Sequence, residues 1–231
     1  MGANAIVVNG QVGLLSQQQM MAAAGQFFVV NTPSPGTGVA YAQLTAFSAT
    51  ANGLLVVSNG SSANTGKNIF FHRLDLYETA AVATGTTLSF EAYNETGIVA
   101  GTTAVATRTP VNVNTGSSAP GQSSVATVQF FSSGAITIPA AVGTRRLVGQ
   151  AWIPTGVNVI KDVLTLDFGA DGPAASKTGL TAARATDTAR LCGQMNAIIV
   201  PPQTTTWINM WGWGTSTPSF EYSFTFSEVD I

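Results

Sequence analysis

Acid–base, nucleophilic or metal chemistry needs ionisable or ligating side chains at compatible spacing, and His72 is the only imidazole in this chain. The stretch HRLDLYE sets His72, Asp75 and Glu78 three residues apart. On a helix these three would nearly converge, as a metal triad requires. On a strand His72 and Glu78 share one face while Asp75 takes the other. Phe70, His72, Leu74 and Leu76 alternate as a single strand face, so the strand reading prevails and the triad separates. His72 is then expected to be a partly buried residue whose ring nitrogens bond locally.

Other fragments of motif fail on their neighbours. DFGADG at 167–172 has the kinase Asp-Phe-Gly, but no Gly-rich strand, paired lysine or catalytic loop accompanies it. As a calcium loop it places Asp167, Asp171 and Gly172 suitably. Thr178, however, stands where a bidentate Glu is needed, and Gly169 replaces the second ligand. A turn after VLTLDF is the expectation. GSSANTGKN has five residues between Gly60 and Gly66, Asn68 in place of Ser or Thr, and a strand after it. It reads as a hairpin loop, not a phosphate cradle. Cys192, the sole cysteine, leaves no disulfide and no thiolate cluster, and reads as a small buried residue. One histidine gives Ser and Cys nucleophiles no spare base, and the few carboxylates single out no glycosidase pair. The chain is read as non-enzymatic, with no cofactor and no metal.

The remaining concentration of chemistry is aromatic. TTTWINMWGWG places Trp207, Asn209, Trp211 and Trp213 on one side of an extended backbone, with Ile208, Met210, Gly212 and Gly214 on the other. Such a strip serves as core packing first, as a subunit or partner interface second, and as a glycan-stacking platform third.

The elements that position these residues are strands. In FEYSFTF, Phe220, Tyr222, Phe224 and Phe226 point one way and Glu221, Ser223 and Thr225 the other, the period of a half-buried strand. Burial of that face makes Phe224→Asp one of the most damaging single changes expected. QFFVV, GLLVVS, NIFFHRLDLYE, TLSFEAY, VATVQFF, AITI, RRLVGQAW, NVIKDVLTLDF and NAIIV are similar, giving about ten or eleven strands bounded by turn-rich pieces. Helical pattern is confined to two short stretches. One begins at Ser16 and Gln19, at capping-box spacing before MMAAA, and stops at Gly25; the other is LTAARATDTARLCGQM. Residues 94–124 read as a long loop or projecting arm, or equally as holding one weak strand. The predicted fold is all-β, an antiparallel two-sheet sandwich, jelly-roll-like, with one or two short helices. Residues 1–26 form an N-terminal arm and short helix, and 27–231 a single sandwich domain.

Charge is the compositional outlier. Only 9% of the 231 residues are charged and the formal net charge is −2, against about 25% charged in an ordinary soluble domain. A polar, weakly repulsive exterior suits a subunit of a dense assembly better than a free monomer. Nine basic residues, scattered singly apart from Arg145-Arg146, make no stripe for a phosphate backbone, so no nucleic-acid partner is expected. No apolar run approaches a membrane span, and MGANAIVVNGQVGLL lacks the basic and apolar regions of a secretory signal, so neither membrane nor export is expected.

NTGKNIFFHRLDLYETAA followed by TGTTLSFEAYNETG, the WGWGTSTPSFEYSFTF ending, and the Ala/Gly/Thr/Ser/Val-rich texture resemble the capsid-associated structural proteins of tailed bacteriophages, especially jelly-roll decoration or cement proteins. The resemblance covers the texture of the whole chain and carries over no individual residue. It implies a homo-oligomer, often a trimer, made in the host cytoplasm and bound to the major capsid protein on the surface of the virion, where it stabilises the head. MGANAIVVNGQVGLL is then expected to be an extended arm adding a strand to a neighbour's sheet. Two alternatives stand beside it: a glycan- or receptor-binding virion module, motivated by the Trp strip, and a jelly-roll major coat protein.

Overall fold

The computed structural model describes residues 5–8, 11–14, 16–32, 36–40, 53–80, 87–98, 106–114, 123–130, 146–154, 163–169, 190–211 and 219–231. Two sheets pack face to face. One has the order β11 (Arg146–Pro154), β7 (Thr87–Thr96), β15 (Thr204–Trp211), β5 (Gly53–Asn59), β10 (Ala126–Phe130), β8 (Ala106–Arg108). The other runs β13 (Arg190–Met195), β12 (Val163–Phe168), β6 (Lys67–Ala80), β16 (Ser219–Asp230), β3 (Phe27–Asn31), β9 (Val111–Asn112). Two short strands complete it: β14 (Ile199–Val200) pairs with β6, and β4 (Val39–Ala40) with β16. The fold is the expected all-β two-sheet sandwich with a short helix.

Alternation explains the core. Phe220, Tyr222, Phe224 and Phe226 are buried on the inner face of β16 while Glu221, Ser223 and Thr225 stay partly accessible. Phe28 and Val30 of β3 and Leu74 and Leu76 of β6 flank them across the ladders. From the opposite sheet come Leu55, Val57, Phe90, Val128, Phe130, Ile208 and Met210. The Tyr222 and Phe130 rings stack between the layers. Each buried ring contributes roughly 2 kcal/mol before the entropy of ordering it.

Helix α1 (Gln17–Ala23) begins with the predicted capping box: Gln19 N donates to Ser16 Oγ at 3.2 Å and Ser16 N to Gln19 Oε1 at 2.8 Å. It ends at Gly25, whose φ of +69° lies in the left-handed region that favours glycine. The upstream segment is a hairpin rather than a single extended strand. β1 (Ala5–Val8) and β2 (Gln11–Leu14) pair antiparallel with Val8 opposite Gln11, leaving Asn9-Gly10 as the connection. Asn-Gly readily takes the positive φ values of a two-residue hairpin turn.

Three other expectations are corrected. GSSANTGKN is an arch between sheets and not a hairpin loop, because β5 and β6 lie in different layers. Buried Asn59 holds it: its Nδ2 donates to Lys67 O at 2.6 Å and Val200 O at 2.8 Å, and its Oδ1 accepts from Ser61. The second helical stretch ends as strand β13, parallel to β12 from Val163↔Arg190 to Phe168↔Met195; residues 180–189 lie outside the described residues. Its Ala and Leu content is local, whereas the edge of β12 supplies a ladder that outweighs propensity. Within 94–124 the projecting arm is corrected and the strand alternative is nearer: β8 and β9 are docked to opposite sheets, so residues 106–114 bridge one side of the sandwich. Asn112 Nδ2 donates to Gly25 O at 2.7 Å and Asn114 Nδ2 to Ala23 O at 3.1 Å, tying that bridge to the helix. The AITI segment lies outside the described residues.

Candidate functional site

The tryptophan strip occupies the face of β15 that the alternation predicts, but that face is turned away from the other sheet. β15 is an interior strand between β7 and β5, and it is Ile208 and Met210 that enter the shared core. The expectation that the rings fill the sandwich is therefore corrected. Trp207 is nonetheless only 1% exposed, its ring stacked on Tyr93 with centroids 5.7 Å apart, and Asn209 is 3% exposed opposite Glu91. Glu91 accepts from Tyr93 OH at 2.7 Å and from Gln150 Nε2 at 3.3 Å, so the layer sets a hydrogen-bonded carboxylate among rings. Trp211 is half-buried, and Trp213 lies outside the described residues. The Trp207 ring packs on the chain's own Tyr93.

A second constellation appears where the alternation breaks. β6 pairs Arg73 with Thr225 and Phe71 with Phe226, which leaves His72 as an extra residue opposite nothing on β16. This bulge shifts the frame. Ile69, Phe71, Leu74 and Leu76 form the core face, not Phe70, His72, Leu74 and Leu76. His72, Arg73 and Asp75 consequently come to one outer groove together with Asp167 of β12, while Glu78 is buried opposite Phe220. An unbroken period of two would put His72 and Asp75 on opposite faces, and the bulge removes that separation. Among the described residues no group of three His, Cys, Asp or Glu is placed to hold a metal ion.

The groove has a volume of about 500 Å³ and is also lined by Gln17, Gln18, Phe27, Gly169 and Thr225. Its floor is an ion pair: Arg73 Nε donates to Asp75 Oδ1 at 2.9 Å and Arg73 Nη2 lies 2.7 Å from Asp75 Oδ2. Thr165 Oγ1 donates to the same Oδ1 at 2.5 Å. This bidentate geometry fixes the guanidinium plane. Burial pulls the Arg73 pKa down, but the hydrogen bond and charge of Asp75, with Asp167 beside it, turn the net shift upward. His72 Nε2 lies 2.9 Å from Ser227 Oγ and its ring 5.1 Å from that of Phe27. Burial lowers its pKa and favours the neutral imidazole.

Open strand edges and exposed apolar residues lie elsewhere. β1 and β2 hydrogen-bond only to each other, so the hairpin keeps both outer edges open among the described residues. Val111 of β9, an edge strand of the larger sheet, and Val113 just after it are exposed.

No protein-family model, no curated protein and no solved structure matches the chain. The fold by itself defines the class, an all-β protein of two packed sheets with a separate N-terminal hairpin.

Proposed function

We propose that this chain is a non-enzymatic structural subunit of a viral shell, a decoration or cement protein of a bacteriophage head that binds neighbouring capsomers and further copies of itself at the capsid surface. The observation that supports this reading most is the β1–β2 hairpin, which among the described residues pairs with no strand of the sandwich. A two-stranded ribbon is marginal in water by itself and gains stability when an edge is extended by a neighbour's strand. The charge-poor exterior adds to this, since uncharged polar surface is buried against a neighbour without stripping water from unpaired ions. Weak contacts of this kind hold once multiplied over many copies.

The test is co-sedimentation of the purified chain with assembled heads of the phage whose genome encodes it, depleted of accessory proteins. The full chain is expected to bind saturably and to show an oligomeric native mass. Deletion of residues 1–14 is expected to weaken binding by at least about tenfold. A monomer that remains in the supernatant would refute the proposal, and full binding by the deletion would remove the hairpin from it.

A further inference from the structure

The outer groove is not used by the assembly reading, and its chemistry is specific enough to name a ligand class. We propose that it is a binding site for a neutral saccharide. Its volume of about 500 Å³ falls within the range of about 300–1,000 Å³ typical of small-ligand sites. The groups around it divide into a fixed floor and unengaged walls. On the floor, Arg73 is held in plane by Asp75, and Asp75 is in turn held by Thr165. Such second-partner bonds keep a polar group oriented before any ligand arrives.

The walls supply both kinds of hydrogen-bonding atom. Asp167 is partly accessible, and among the described residues its carboxylate accepts no hydrogen bond and the Gln17 and Gln18 amides make none. His72 is anchored through Nε2 to Ser227, and among the described residues Nδ1 has no partner. A hydroxyl group both donates and accepts, so a row of hydroxyls matches an interspersed set of carboxylate, amide and imidazole atoms. A fully charged ligand does not match it. An anion meets the Asp167 carboxylate, since the Arg73 charge is already taken up by Asp75, and a cation finds Asp75 already engaged by Arg73 and Thr165. Half-buried Phe27, paired with the His72 ring, gives the apolar C–H side of a sugar ring a surface to pack on.

The bulge at His72 is what assembles the site. Without the extra residue, His72 would face the core, away from Asp75, and the wall opposite Asp167 would lack its imidazole.

The experiment is saturation-transfer NMR on the full chain with glucose, galactose, mannose, N-acetylglucosamine, maltose, lactose and chitobiose, followed by calorimetry on any that respond. Lysine amide and citrate serve as cationic and anionic probes. At least one saccharide is expected to bind with a Kd below about 10 mM, and Asp167→Ala to weaken it at least about tenfold with an unchanged melting temperature. Gln18→Ala, on the separate helix, is expected to weaken it by a smaller factor. The proposal is overturned if no saccharide responds, if both variants bind as the parent does, or if either charged probe binds more tightly than every sugar.

Discussion

Phe224 and Thr225 are neighbours on β16 that the fold sends to opposite faces, so paired truncations test the frame of the whole sandwich. Phe224 is fully buried, with the Phe71 ring edge-on at 4.8 Å and the Phe226 ring stacked at 5.4 Å. Truncating a buried Phe to Ala costs about 3–5 kcal/mol, and loss of two ring contacts places Phe224→Ala near 4 kcal/mol. Thr225 lies on the outer face, and its hydroxyl makes one long bond, 3.4 Å to Arg73 O. Thr225→Ala should therefore cost less than about 1 kcal/mol. In urea unfolding followed by circular dichroism, with a slope of about 3 kcal/mol per molar, Phe224→Ala shifts the midpoint down by about 1.3 M and Thr225→Ala by less than about 0.3 M. Should Phe224→Ala not fold, Phe224→Leu keeps most of the volume, and about 1–1.5 kcal/mol is expected of it. Equal shifts for the two positions, or a larger one at Thr225, would refute the assignment of faces and with it the core described above.

Two further outcomes follow from polar groups. Glu228 is fully buried on β16, where its Oε1 accepts from Ser124 Oγ at 2.5 Å and Val125 N at 2.9 Å, and Lys67 Nζ lies 3.7 Å from Oε2. It clasps the segment leading into β10 to the opposite sheet, so Glu228→Ala should cost about 3 kcal/mol and Glu228→Gln about 2 kcal/mol in the same urea assay. A loss below about 0.5 kcal/mol for both would show the clasp to be dispensable. His72, whose pKa burial lowers from 6.5, is more readily protonated in the unfolded chain. Unfolding then takes up a proton, so stability contributed by the neutral imidazole is present above about pH 6.5 and falls as the pH drops below it. The melting temperature of His72→Gln should lose part of that acid dependence; parallel curves for parent and variant from pH 7.5 to 5 would contradict it.

The strands themselves were legible because alternation is a local property. Phe220 to Phe226 sort by face without reference to any other segment, and so do Leu88, Phe90 and Ala92. The cap at Ser16 and the stop at Gly25 are equally local. The hairpin is legible in Asn9-Gly10, a local turn signal between Ala5–Val8 and Gln11–Leu14. The groove was not legible in this way. It depends on one residue inserted relative to a partner strand some 150 positions away, and a period-two pattern laid over FFHRLDL assigns His72 to the wrong face.

The chain's residue pattern alone determined that it would pleat into strands, which side chains of most strands would be apolar partners, and how little charge its exterior would carry. Tertiary structure alone decided which strands pair, that β5 and β6 part company across Asn59, that β13 runs parallel to β12, and that Trp207 lies buried on a face turned away from the core. The physical reason is that a strand's periodicity is set by its own backbone geometry, whereas its neighbours, its register and what covers its second face depend on ladders and contacts formed between residues far apart in sequence.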